Sequence, residues 1–175
     1  AFVYRLEGDS WTQLGDPLLA SLSPSGYQTE ASSVAINTTG TLVAFGAPNY
    51  RDQDGDQVGE LKVYALTNNE WSQTGSTLNG TAKTTSRFGG RLSFSEDDSM
   101  ISVAAYRDSG KFLDPTKTDG AFVERNGSTS VFLWKDSDWV LVNKVFGGYR
   151  YGSMYHAALS GDGQLLVASA ESADI

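Results

Sequence analysis

The densest run of potential ligand atoms in the chain is Asp52-Gln53-Asp54-Gly55-Asp56-Gln57-Val58-Gly59-Glu60. Carboxylates stand at alternate positions from Asp52 to Asp56, Val58 offers a backbone carbonyl, and Glu60 closes the run with a further acid. A hard cation such as Ca²⁺ gathers about six to eight oxygens, and a short loop with alternating carboxylates can wrap one. The spacing therefore predicts a calcium site formed by Asp52, Asp54, Asp56, the Val58 carbonyl and Glu60. Without a metal, the same residues make a solvated acidic loop between strands.

Other chemistry is sparse. Cysteine is absent and His156 is the single histidine, which removes disulfides, thiolate zinc sites and thiol catalysis and gives the histidine no partner by spacing. Asp97-Asp98 and the Asp136/Asp138 pair sit in polar turns whose counterparts elsewhere carry Asn, Thr or Gly. That makes them turn formers; a paired-carboxylate hydrolase needs acids converging from separate strands. No nucleophile–base pair can be named, so the expectation is a protein that is not an enzyme. Three Asn-X-Ser/Thr triplets, at Asn37, Asn79 and Asn126, fall in predicted turns or connections, where an N-glycan acceptor would be exposed. They point to an extracellular or secreted glycoprotein, with an organelle lumen as the alternative. Tyr149, Arg150 and Tyr151, with Tyr155 nearby, combine aromatic and guanidinium side chains favoured at binding surfaces. Phe112 lies in a long insertion from Tyr106 to Asn126, and loops of that length often face partners. These five residues are the candidates for contact with a protein or glycan ligand.

Composition narrows the partners. The chain has 175 residues, a mass of 18.8 kDa, a formal charge of −8 and a pI near 4.5. A strongly acidic balance disfavours nucleic acid and anionic membranes, because phosphate partners require clustered Lys and Arg. No apolar run approaches the roughly eighteen residues of a membrane-spanning helix.

These residues are positioned by an internal repeat. Val3 to Ala20, Val63 to Gly80 and Val131 to Gly148 align without a gap: a Val-aromatic pair, a polar turn, a tryptophan, then a second short run. The tryptophans are Trp11, Trp71 and Trp139, separated by 60 and 68 residues, and they are expected to pack between neighbouring units. A second block follows each first one: Val34 to Pro48, Leu92 to Tyr106 and Ala157 to Glu171. In each, an apolar run reaches a polar turn and returns as another apolar run, which is a hairpin signal. No window shows helical spacing. The expected fold is all-β: one repeat domain over 1–175, with repeats of about 1–58, 59–126 and 127–175. Each repeat supplies four antiparallel strands, as in a blade of a β-propeller, and a lone four-stranded sheet must pack on neighbours to bury its faces.

The stretches Ser32 to Leu66, with Gly46-Ala47-Pro48 at its centre, and Arg87 to Tyr106 resemble the FG-GAP propeller repeat of integrin α-subunit-like proteins and large secreted repeat proteins. The third copy keeps the hairpin but lacks the Gly-Ala-Pro end. WD-type repeats, at about 40–45 residues, are too short for this period. The resemblance implies a propeller of several blades used for adhesion or ligand binding. Three blades are fewer than the roughly four that close the smallest propellers. The chain is therefore expected to be a segment of a longer polypeptide, or to be completed by further blades of the same or a partner chain. The expected function is a non-catalytic module for adhesion, ligand binding or scaffolding. The rival readings are a structural subunit of a larger assembly and a glycoside-active hydrolase on a propeller scaffold.

Overall fold

A computed structural model describes residues 1–24, 26, 29–80, 86–108, 110–111, 122–123, 126–147 and 153–171. Among them the chain is all β, with no helix. The strands are β1 (Tyr4–Glu7), β2 (Ser10–Gln13), β3 (Ser33–Ile36), β4 (Leu42–Ala47), β5 (Glu60–Thr67), β6 (Glu70–Gln73), β7 (Leu78–Asn79), β8 (Phe88–Phe94), β9 (Met100–Ala105), β10 (Gly110–Lys111), β11 (Phe122–Val123), β12 (Ser128–Lys135), β13 (Asp138–Phe146), β14 (Ser153–Leu159) and β15 (Leu166–Glu171).

Local chemistry repeats along with the sequence. Each tryptophan hairpin turns on two residues: Gly8-Asp9, Asn68-Asn69 and Asp136-Ser137. Both central residues of the second and third turns have positive φ, as a tight hairpin between right-twisted strands requires. The other hairpins share a different turn. The backbone N–H groups of Asn37, Ser95 and Ser160 donate to the carbonyls of Leu42, Met100 and Leu165. The side chains of the same three residues accept in return from the N–H groups of Leu42, Met100 and Leu165. Gly40 and Gly163 take the left-handed position in their turns, and Asp98 takes it in the second.

These hairpins join into two sequential antiparallel sheets, β3-β4-β5-β6 and β8-β9-β12-β13, with β7 also pairing β5. The pair β10-β11 lies in the excursion between β9 and β12, while β1-β2 and β14-β15 are two-stranded sheets at either end. Each four-stranded sheet thus takes its first hairpin from one sequence repeat and its tryptophan hairpin from the next. The hydrogen-bonded unit is offset by half a repeat from the units 1–58, 59–126 and 127–175. Burial gives the reason: β4 is buried almost throughout, as is the start of β5, so both must be interior strands. The sequence Glu-Trp-Ser-Gln of β6 is mostly exposed and suits an edge.

The sheets stack face to face. Ala44, Leu61, Val63, Phe88, Ile101, Val103, Ala105, Phe132 and Trp139 form the core between the two four-stranded sheets. Alternate residues Val43 and Phe45 turn to the opposite face of β4, where they pack with Leu18, Val3 and Trp71, following the two-residue period of a strand. The sheets approach closely where Gly46 of β4 meets Gly89 of β8. Among the described residues no sheet closes on itself.

Candidate ligand-binding cleft

The turn between β8 and β9 carries Asp97, Asp98 and Ser99 against the end of the β12–β13 hairpin. The two-residue turn of that hairpin sets Trp134 directly opposite Trp139, their ring centroids 5.1 Å apart at 57°. Together with Leu42 and Thr74 from the neighbouring sheet, these residues line a cleft of about 370 Å³. Trp139 is its buried wall and packs on Phe94, while Trp134 leaves part of its indole in solvent.

Asp98 ties the cleft to the adjacent sheet: its Oδ2 accepts from Asn37 Nδ2 at 2.8 Å. Its Oδ1 is buried with no hydrogen-bond partner. Trp139 Nε1 is likewise buried and unpartnered, although the equivalent Trp71 Nε1 donates to the Leu14 carbonyl at 3.0 Å. Asp97 accepts from Ser95 Oγ at 2.6 Å and from Ser99 through both its N–H at 3.1 Å and its hydroxyl at 2.8 Å. These bonds, the Ser95 hydroxyl first, hold the Asp97 carboxyl below the usual aspartate range, because they favour the ionised form. The cleft thus offers the exposed Asp97 carboxylate and a partly exposed aromatic face, whereas the unpartnered Trp139 Nε1 and Asp98 Oδ1 are shielded from solvent. Its two acids share one turn, consistent with their reading as turn formers. A buried polar group left unpaired costs about 1–3 kcal/mol.

A second cavity of about 230 Å³ is lined by Asn79, Phe88, Asp108, Phe132, Leu141 and Lys144, among others. Its charges are already matched: the buried Asp108 pairs with Lys144 and accepts from Ser128 Oγ at 2.6 Å.

The acidic loop folds on itself. Asp52 Oδ1 accepts from the N–H groups of Asp54 at 3.1 Å and Asp56 at 2.9 Å, and Arg51 reaches the Gly55 carbonyl at 2.7 Å. The Val58 carbonyl, expected as a metal ligand, instead accepts from Ser86 Oγ at 2.6 Å and Phe88 N–H at 3.2 Å, tying the loop to β8. Glu60 is fully buried at the start of β5, where its Oε1 takes the Ser21 N–H at 2.6 Å. Among the described residues no three acidic or histidine side chains gather as a metal cage.

The sequon asparagines differ in setting. Asn37 is buried, and its amide nitrogen donates to Thr39, Thr41 and Asp98. Asn126 is buried and donates to the Gly147 carbonyl at 2.8 Å. Asn79 is exposed on β7. Tyr155 stacks on Tyr106, centroids 4.9 Å apart, and Arg87 donates to the Tyr106 hydroxyl at 2.5 Å; Tyr155, a candidate for partner contact, is half-buried in this stack. Phe112, Tyr149, Arg150 and Tyr151 lie outside the described residues.

Of the repeat tryptophans, Trp71 and Trp139 each lie against a glycine of the preceding copy. A Cβ on Gly15 or Gly75 would come within 2.8 Å of the respective indole Cδ1. Trp11 is 68% exposed, against 4% for Trp139. Nothing in the sequence reading singles out Trp134. The available signal was the two-residue Asp136-Ser137 turn, which fixes the register that pairs it with Trp139.

No protein-family model matches the chain, and no curated protein matches it.

Proposed function

We propose that the chain is a non-catalytic ligand-binding module built from propeller-type blades, and that its cleft takes a glycan. The exposed Asp97 carboxylate and the partly exposed Trp134 indole, which line one cleft, carry this reading. A sugar ring presents weakly positive C–H groups, which suit the negative face of an indole. Its hydroxyls can donate to the Asp97 carboxylate while the ring rests on the indole. The charge of −8 favours neutral or cationic sugars over sulfated or phosphorylated ones.

The propeller part of the reading is supported by sequential four-stranded antiparallel sheets, their face-to-face stacking, and the close glycine contact between them. An extracellular setting fits both the exposed Asn79 sequon and a glycan ligand.

The test is tryptophan fluorescence and calorimetry against a panel of neutral oligosaccharides. The expected result is saturable binding by at least one of them, abolished in Trp134→Ala and weakened at least tenfold in Asp97→Asn. Binding that is unchanged in Trp134→Ala, or no binding across the panel, would overturn the glycan reading.

A further inference from the structure

At the cleft the repeat departs from its own pattern on both walls. The turns beginning at Asn37, Ser95 and Ser160 are equivalent, each closed by the same exchange of hydrogen bonds with the strand that follows. The first carries Thr38-Thr39-Gly40 and the third Gly161-Asp162-Gly163, but the second carries Glu96-Asp97-Asp98. On the facing hairpin, the place of Trp134 is held by Leu6 in the first copy and Leu66 in the second. The added acids Asp97 and Asp98 and the added indole therefore meet in one cavity.

These acids lack a cation. Among the described residues neither Asp97 nor Asp98 pairs with a lysine or arginine, and Asp98 is tied to the neutral amide of Asn37. Lys135, next to Trp134 in β12, alternates to the opposite face of the strand. The described cations that lie over aromatic rings, Arg87 and Lys144, cover Tyr106 and Phe146 and leave Trp134 free. Asp97 is also fixed in place. Its Oδ1 accepts from Ser95 Oγ and from the Ser99 N–H and hydroxyl, whereas its Oδ2 accepts from the Ser99 hydroxyl alone. A carboxylate offers about four acceptor positions across its two oxygens, so Oδ2 keeps room for a donor from solvent. A charged donor makes the stronger bond there, and the face of an indole attracts a cation as well. A neutral hydroxyl uses only part of that attraction.

We infer that the cleft selects, among glycans, a sugar bearing a free amine, whose ammonium bonds Asp97 Oδ2 while its ring rests on Trp134. The inference rests on the glycan reading above and names the class of sugar. In an amino sugar the ammonium is attached directly to the ring. One rigid unit then meets both the carboxylate and the indole, with little side-chain freedom to lose.

The test is calorimetry of the unaltered chain against four probes: a β-1,4-linked glucosamine tetramer, its fully N-acetylated counterpart, the glucose tetramer of the same linkage, and tetralysine. A mildly acidic buffer keeps the sugar amines charged, and Asp97 stays ionised there because its carboxyl is held below the usual range. The glucosamine tetramer should bind at least about tenfold more tightly than either neutral tetramer, as a charge-assisted bond outweighs a neutral one. Added salt should narrow the gap. Asp97→Asn should weaken the glucosamine tetramer about tenfold more than the glucose tetramer, bringing the two to parity.

Equal binding of all three tetramers, abolished in Trp134→Ala, would overturn the amine preference and leave the glycan reading standing. A preference that persists in Asp97→Asn would reflect general attraction to an acidic chain and would overturn it too. Tetralysine binding more tightly than the glucosamine tetramer would assign the cleft to a basic peptide and overturn both readings, as would no binding by any sugar.

Discussion

The backbones of Gly46 and Gly89 meet so closely that a Cβ added at Gly46 would lie 2.0 Å from the Gly89 carbonyl oxygen. The same oxygen accepts a hydrogen bond from Ser33 Oγ at 2.5 Å. Glycine is needed at position 46 for space alone, since φ is positive at Gly89 but not at Gly46. The sheets therefore reach contact through main chain on both sides, with no side chain between them.

Gly46→Ala should accordingly destabilise the fold by about 2–3 kcal/mol, the upper range for forcing atoms into a packed interior. Urea denaturation followed by tryptophan fluorescence reads this as a lower midpoint. A midpoint equal to that of the unaltered chain would mean that the two sheets are not held at this spacing.

Lys144 neutralises a carboxylate that has almost no solvent of its own. Asp108 is 2% exposed through its side chain against 23% for Lys144. Lys144→Met should cost about 3 kcal/mol, because removing one partner leaves a charge buried. Adding Asp108→Asn to that variant should recover part of the loss, a coupling that a double-mutant cycle measures.

Glycosylation should separate the three sequons by burial. Expressed through a glycosylating secretory pathway, the chain should gain a glycan at Asn79 and none at Asn37 or Asn126, whose amide nitrogens are engaged inside the fold. Intact mass before and after glycosidase treatment checks this. Asn79→Gln should remove the whole mass difference.

Asp138 reaches across to the neighbouring sheet, accepting from Ser76 N–H at 2.7 Å and from its hydroxyl at 2.8 Å. These bonds, the backbone one first, hold its carboxyl below the ordinary aspartate range. A folded pKa below the unfolded one adds stability that is present above the unfolded value and lost as pH falls through the folded value. Asp138→Asn should therefore melt below the unaltered chain at neutral pH, and the gap should narrow as the pH drops below the carboxylate range. Thermal melts across a pH series test this; a gap independent of pH would contradict it.

Several features were legible in the sequence because they depend on neighbours in the chain. The repeat positions of Trp11, Trp71 and Trp139, the two-residue turns, and the apolar character of Leu42–Ala47 and Met100–Ala105 follow from local pattern and turn chemistry. Asp97 and Asp98 were rightly legible as turn residues. Their place opposite Trp134 was not, because it depends on two hairpins that are distant in sequence. The acidic loop shows the same limit. Alternating carboxylates are visible in the sequence, but the Val58 carbonyl is taken by Ser86 and Phe88, which only sheet stacking brings to it. Asn37 reads as an exposed turn residue, yet the packing of one turn on the next buries it against Asp98.

The sequence by itself determined an all-β chain of repeated hairpins, since strand period and turn residues are properties of a few consecutive positions. Tertiary structure decided which hairpins share a sheet, joining each incoming hairpin to the tryptophan hairpin of the following repeat. The physical reason is burial: strands apolar on both faces are stable only inside a sheet, and they take the partner whose edge and faces complete that burial, wherever it lies in the chain.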